Sequence, residues 1–204
     1  MYLDQPANLV MNQKVTTNGE TANHDENDYI YDPEILATAD LGPRYQTLRS
    51  DPNLKVRPLR LSDYYRGFLE LLKQLTVVGD ISYEEFSSQF EAMKSAKGTY
   101  YVTVIEDTSL DRIVGSATLL FERKFIRNCG LRARLEDVVV SHDYRGKQLG
   151  KCIVEIISKL GQHLGGYKIS LDCKDEMIPF YESLGYHPEP GNANSLVIRY
   201  PAKP

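Results

Sequence analysis

The chain is predicted to adopt an α/β fold, with a mixed central sheet flanked by helices. Three observations carry that prediction. A β-branched run, Val138, Val139 and Val140, passes through a Gly-containing turn into a helical apolar stripe of Leu149, Ile153, Ile156, Ile157, Leu160 and Leu164. After a Gly165-Gly166 stop, Ile169, Leu171 and Cys173 alternate as a strand, giving a β-α-β-α-β order to the C-terminal half. Residues 99–106 and 113–126 are rich in β-branched and aromatic residues around a polar break at 107–112, so a hairpin adds antiparallel pairing.

The elements follow in order. Residues 1–28 hold many Asn, Gln, Thr, Glu and Asp and few large apolar groups, a composition that cannot offset the entropy of ordering. Residues 30–41 carry Ile30, Tyr31, Ile35, Leu36 and Leu41. They read either as a short arm docking on the domain or a partner, or as a loose linker. Residues 42–53 continue as linker, completing a largely disordered extension over 1–53, and the folded domain spans 54–204. Residues 55–59 form a short strand. Ser62 then caps a helix bearing Tyr65, Phe68, Leu69, Leu72 and Leu75. The loop 75–79 that follows could face a ligand. Ser82 and Glu85 have capping-box spacing ahead of Tyr83, Phe86, Phe90 and Met93. The next strand covers 134–141, and the long helix starts near Lys147. A short helix over 176–184 has Pro179 in its first turn and Gly185 as its stop, and a last strand covers 194–200. No internal repeat is present.

Bulk properties narrow the function. A length of 204 residues suits one domain with a tail. A net charge of −4 and a pI near 5.6 argue against a nucleic-acid binder, which needs a concentrated excess of Lys and Arg. Three scattered cysteines, Cys129, Cys152 and Cys173, fit neither a disulfide framework nor a metal site, and suggest a reducing compartment. No signal peptide or membrane-spanning run is evident, so a cytoplasmic protein without an integral membrane segment is expected. Peripheral attachment to internal membranes stays open.

The chemistry concentrates in 135–150, LEDVVVSHDYRGKQLG. A strand ending in a Gly-containing turn at a helix N-terminus offers free backbone N–H groups and the positive end of a helix dipole, a seat for phosphate or pyrophosphate. Two carboxylates, Glu136 and Asp137, sit one strand length away. Adjacent strand residues point to opposite faces, so these two do not form a dyad on one face.

The pattern R-x-x-x-x-G at the helix start (Arg145 to Gly150) resembles the acetyl-CoA pyrophosphate loop of the GNAT superfamily of N-acetyltransferases, with Gln148 where that pattern usually has Gly. Further segments occur in order: Leu75 to Gly79, the strand ending FERKFI at 121–126, LEDVVV at 135–140, YKISLDC at 167–173 and FYESLGY at 180–186. Together they closely resemble the glucosamine 6-phosphate N-acetyltransferase family over about residues 54–200. Ile30-Tyr31-Asp32-Pro33 is similar to the arm of its animal members. The resemblance implies the acyl-CoA N-acyltransferase fold and acetyl transfer from acetyl-CoA to D-glucosamine 6-phosphate, a step toward UDP-N-acetylglucosamine. It also implies a homodimer with shared active sites, acetyl-CoA as co-substrate and no metal.

Residue roles follow from that resemblance. Glu136 and Asp137 bind the sugar where the strand splays at a bulge, and Asp172 holds the amine or accepts its proton, directly or through water. Val138, Val139 and Val140 offer backbone groups to the pantetheine arm, which adds to a strand edge as a peptide does, and an N–H near Val138 polarises the thioester carbonyl. Arg145, Gly146, Lys147, Gln148, Leu149 and Gly150 cradle the pyrophosphate. Gln148 is acceptable there if its φ is ordinary and helical and only its N–H is used. Tyr181 is the candidate general acid: its hydroxyl (pKa ~10) hydrogen-bonds a developing thiolate whose thiol titrates at ~8.5. Phe180 is its core neighbour. Members often carry Asn four residues before this Tyr; Met177 stands there, so one cofactor hydrogen bond is lost or replaced.

Lys124, Arg127, Lys168 and Arg199 match positions that hold the sugar phosphate, with Arg199 serving the partner's site. Phe125, Ile126 and Tyr167 flank them, and Thr76 is a weaker sugar contact. His142 is read as a solvent-facing turn residue and Tyr144 as packing. Two rival readings remain: an acetyltransferase for another amine, such as a protein N-terminus or a lysine, and a non-catalytic acyl-CoA-binding module.

Overall fold

The structure is a computed structural model and describes residues 28–191 and 196–198. Five strands lie side by side in chain order: β1 (Leu54–Pro58), β2 (Tyr100–Asp107), β3 (Arg112–Arg123), β4 (Leu131–Val140) and β5 (Gly166–Ser170). β1 to β4 pair antiparallel, and β5 joins β4 in parallel. The mixed α/β sheet expected from the sequence is therefore present. β5 stops at Ser170, so Leu171 and Cys173 are not strand residues as their alternation had suggested. The expected last strand over 194–200 lies largely outside the described residues, and within it 196–198 are exposed and without regular structure.

Both faces of the sheet are covered. The long helix Leu149–His163 lies on one face and buries Ile153, Ile156, Ile157 and Leu160 completely against it. Burying each such side chain stabilises the fold by about 1.5–3 kcal/mol. The helix comes close because glycines face each other: a Cβ on Gly166 would stand 2.9 Å from the Gly161 carbonyl oxygen. Gly165, at φ +84°, supplies the left-handed turn that ends the helix.

The opposite face is covered by a 3₁₀ turn (Leu61–Arg66), α3 (Phe68–Leu72) and α4 (Tyr83–Ser95). The single helix expected here is split by Gly67, which takes a left-handed φ of 75°. Ser62 is not its cap. The buried carboxylate of Asp63 accepts the Arg60 N–H at 2.8 Å and is itself held by Arg57 at 2.7 Å. Arg57 also bonds Glu106 at 2.6 Å. Burial alone would lower the Arg57 pKa, but Asp63 and Glu106 hold it above its ordinary value. Removing one partner would leave a buried charge unpaired. α4 begins with the predicted capping box: the Ser82 hydroxyl accepts from Glu85 N–H, and Glu85 accepts from Ser82 N–H.

Residues 28–53, ahead of β1, are structured, whereas the disorder expected of 1–27 falls outside the described residues. Ile30, Tyr31, Leu36 and Leu41 are buried, the Tyr31 hydroxyl meets Thr103 Oγ1 at 2.7 Å, and α1 (Glu34–Thr38) follows. The stretch expected as linker carries α2 (Pro43–Leu48), which packs along the long helix through Arg44 and Glu155 at 2.9 Å. Six residues give too short a period to be read as a helix; tertiary contact stabilises it.

Candidate active site

The site begins where β4 and β5 part. Their parallel pairing ends at Arg134 and Ser170, so the β4 edge from Leu135 onward faces no strand. β4 also carries a bulge against β3: Thr118 pairs with Glu136 and Ser116 with Val139, leaving Asp137 and Val138 opposite Ala117. Asp137 takes a left-handed φ of 53°. Period-two alternation therefore fails at this point, and the bulge, not alternation, sets the relative direction of Glu136 and Asp137. It also moves Val139 out of the register of Leu135. Val139 is buried, while Val138 and Val140 are half-buried beside the open edge.

Past β4 the chain makes a 3₁₀ turn (His142–Tyr144), then Arg145, Gly146, Lys147 and Gln148, all exposed, and enters the long helix at Leu149. The backbone N–H groups of Gly146, Gln148, Leu149 and Gly150 have no acceptor among the described residues. A Cβ on Gly146 would meet nothing within 4 Å. The turn is thus an open concavity ringed by free donors at the start of a 15-residue helix, which fits a pyrophosphate. Gln148 corrects an expectation: its φ is 60°, left-handed and not helical. The usual Gly at this position reflects that backbone requirement, and Gln meets it against a steric cost of about 1 kcal/mol.

The polar face of β4 carries Arg132, Arg134 and Glu136, opposite the buried Ala133 and Leu135. Arg134 Nε bonds Glu136 and its Nη2 bonds Asp172, both at 2.7 Å. Glu136 and Asp172 together hold the Arg134 pKa above its ordinary value. Arg132 donates to Ser170 Oγ at 3.0 Å and lies 3.9 Å from Glu122, and its buried Nε has no partner. Lys124 reaches Glu122 at 2.5 Å and holds that carboxyl below the usual range. Desolvation, then the neighbouring Glu136 charge, push the Asp137 carboxyl up.

The structure brings Glu136, Asp172 and Lys124 into one charged band, in which Arg134 links the two carboxylates. Lys168 stands on β5 opposite Arg132 but pairs with Glu189 at 3.1 Å. Phe125, Ile126 and Arg127 lie in an exposed turn, where Arg127, Asn128 and Cys129 are all left-handed. Gly130 closes that turn: a Cβ there would stand 2.9 Å from the Arg127 carbonyl oxygen and 3.0 Å from the ring of Tyr167. Thr76 is exposed, two residues past Gln74, whose side chain accepts the His142 N–H at 2.9 Å. Arg199 is outside the described residues.

Tyr181, on the short helix Ile178–Glu182, packs edge-on against Phe180 and Tyr186, and its hydroxyl has no partner among the described residues. Desolvation, then the nearby Cys173, push its pKa up, so it stays protonated. Phe180 packs toward Gly150, which ties this helix to the cradle. Met177, at the start of the same helix, offers the cofactor arm no strong hydrogen-bonding group. Sequence reasoning missed Arg132, Arg134 and Glu122. Their signal was present, since Arg132 and Arg134 alternate with Ala133 and Leu135 on the strand that carries Glu136.

Residues 61–186 match the Acetyltransferase (GNAT) family. A Drosophila melanogaster protein named probable glucosamine 6-phosphate N-acetyltransferase is 52% identical over 88% of this chain and 85% of its own. A Dictyostelium discoideum glucosamine 6-phosphate N-acetyltransferase is 37% identical over 75% of this chain and 96% of its own. The crystal structure of glucosamine-6-phosphate N-acetyltransferase from Arabidopsis thaliana superposes with a TM-score of 0.67 at 40% identity, covering 72% of this chain and 97% of that one.

Proposed function

This chain belongs to the GNAT acetyltransferases and, among them, to the glucosamine 6-phosphate N-acetyltransferase family; on that premise we propose that it transfers the acetyl group of acetyl-CoA to the amine of D-glucosamine 6-phosphate. The products are CoA and N-acetyl-D-glucosamine 6-phosphate, a step toward UDP-N-acetylglucosamine. One observation carries the reading: the free-amide cradle and the carboxylate pair Glu136 and Asp172 flank the same open edge of β4.

Acetyl-CoA supplies the thioester. The amides of Gly146, Gln148, Leu149 and Gly150, with Arg145 and Lys147, hold its pyrophosphate, and backbone groups of Val138, Val139 and Val140 align its arm along the unpaired edge. A backbone N–H near Val138 donates to the carbonyl oxygen, where negative charge develops. Glu136, Asp137 and Asp172 hold the sugar, and Asp172 takes the ammonium proton directly or through a water. The neutral amine attacks the thioester directly in the ternary complex. The C–S bond then breaks as the Tyr181 hydroxyl donates its proton to the leaving sulfur; the second proton, lost from the nitrogen as the amide forms, restores the phenol, and the first leaves Asp172 for solvent. Lys124, Arg127 and Lys168 carry the phosphate, with Phe125, Ile126, Tyr167 and Thr76 around the sugar.

The exposed Phe125, Ile126, Leu196, Val197 and Ile198 support a homodimer in which Arg199 serves the partner's site. We place the enzyme in the cytoplasm; among the described residues no helix is long and apolar enough to cross a membrane. The test is thiol release from acetyl-CoA with glucosamine 6-phosphate, glucosamine or a basic peptide as acceptor. Turnover with the phosphorylated sugar is expected, and turnover with the peptide alone overturns the proposal.

A further inference from the structure

The turn between β2 and β3 has no part in the chemistry above, yet it touches the base of the cradle. Asp107, the last residue of β2, is buried and accepts four hydrogen bonds: from Ser109 N–H at 2.9 Å, the Ser109 hydroxyl at 2.6 Å, Leu110 N–H at 3.3 Å and the Tyr144 hydroxyl. Tyr144 is buried and directly precedes Arg145. Its neighbours are fastened too. Arg112 stands 3.7 Å from Asp143, Gln74 accepts the His142 N–H at 2.9 Å, and Ser141 N–H reaches the Val114 carbonyl at 2.8 Å. The turn that supplies Asp107 is itself fixed, by Thr108 N–H on the Asn53 carbonyl at 2.8 Å and by Arg66 on Asp111 at 2.7 Å.

Between Tyr144 and the buried Leu149 the cradle residues 145–148 are exposed, and a Cβ on Gly146 would meet nothing within 4 Å. Their shape is therefore set by the two buried ends, Tyr144 on one side and the start of the long helix on the other. Tyr144 also carries the Lys147 ammonium 4.8 Å from its ring centroid. An anionic acceptor on the phenol enriches that ring and strengthens the cation–π contact. The partners keep these roles across ordinary pH: desolvation and Asp107 push the Tyr144 hydroxyl up to about 12, and hydrogen bonds from Ser109 and Tyr144 hold Asp107 below the usual carboxylate range.

We propose that Asp107 is a positioning residue for acetyl-CoA: through Tyr144 it fixes the amide cradle and Lys147 in the geometry that receives the pyrophosphate. This rests on the acetyl-CoA reading of the cradle. A donor that finds these groups already aimed loses less freedom on binding, so the brace acts on donor affinity and not on the chemical step.

The test compares acetyl-CoA with S-acetylpantetheine, which has the same thioester arm and no pyrophosphate. Tyr144→Phe keeps the ring and removes only the bond to Asp107. The KM for acetyl-CoA should rise about three- to tenfold, the loss expected for one hydrogen bond. The kcat at saturation, the KM for S-acetylpantetheine and the KM for glucosamine 6-phosphate should stay at wild-type values. Asp107→Asn, which keeps size and one acceptor oxygen, should move the same constant in the same direction and provides a second reading if the Phe variant folds poorly. An equal rise for both donors would show a general structural defect and overturn the proposal, as would an unchanged KM for acetyl-CoA. A wild-type enzyme that uses acetyl-CoA no better than S-acetylpantetheine would instead remove the pyrophosphate role of the cradle itself, before any variant is made.

Discussion

The two ends of β4 are built on different principles. At its C-terminal end the cradle is made of backbone: free amides, a glycine turn and a helix start, held from below by Asp107, Arg112 and Gln74 and backed by the fully buried Ile153, Ile156 and Leu160. Toward its N-terminal end the polar face is made of side chains. Glu122, Lys124, Arg132, Arg134, Glu136 and Asp172 pair with one another at the surface, next to a left-handed turn whose Phe125 is 98% exposed. Backbone donors need rigid support and tolerate varied side chains, so Gln148 can stand where Gly is usual. A side-chain site depends on each charge, and here it lies beside an exposed apolar rim of Phe125 and Ile126.

Substitutions at each end of β4 should separate the two construction principles. The largest effect is expected on the short helix that packs toward Gly150: Tyr181→Phe should lower kcat by ~100-fold or more while both KM values stay near wild type. Steady-state kinetics check this, and an unchanged kcat removes Tyr181 from the mechanism. Its raised pKa adds a pH expectation, because a neutral phenol favoured by desolvation ionises only above its ordinary value. The kcat should therefore show no Tyr181-dependent alkaline loss below about pH 10.

Arg134→Gln should act on the acceptor end alone. Glu136 and Asp172 lose their shared partner, and the KM for glucosamine 6-phosphate should rise about 10- to 100-fold, as for loss of charge-assisted bonds. Acetyl-CoA binding by calorimetry should be unaffected, and equal losses for both ligands would show that the two ends are not separable. Asp107→Asn probes the brace through stability. The folded Asp107 pKa is lowered, so the stability its carboxylate contributes is present above the unfolded value, ~3.9, and is lost as pH falls through the folded value. The variant should melt a few degrees below wild type at neutral pH, and the gap should close below about pH 4. Gln148→Gly has the smallest expected effect. It relieves a left-handed non-glycine residue and should raise stability by up to about 1 kcal/mol, read from urea unfolding, with acetyl-CoA affinity kept.

The legible parts of the chain were those with strong local signals. The stripe of the long helix, the Ser82 capping box, the hairpin of β2 and β3 and the cradle at 145–150 were readable because each rests on period, caps or turn chemistry. The break at Gly67 and helix α2 were not, because a left-handed glycine and a six-residue helix are decided by what packs against them. The bulge at Asp137 defeated alternation because it is a property of pairing with β3, not of β4 alone. Arg134 went unnoticed because an arginine on a strand looks like a solvated charge until Asp172, 38 residues later, is brought beside it.

The α/β class and the glycine-containing turn at the start of the long helix were legible in the residues alone, and the family in an ordered set of motifs, since these depend on residues close together in the chain or on their order. Long-range packing alone sets the parting of β4 and β5 after Arg134, the bridge from Glu136 to Asp172 through Arg134, and the bond from Tyr144 to Asp107 at the β2–β3 turn. Each of those is a contact between segments far apart in the chain, fixed by strand pairing and burial, and no local pattern encodes it.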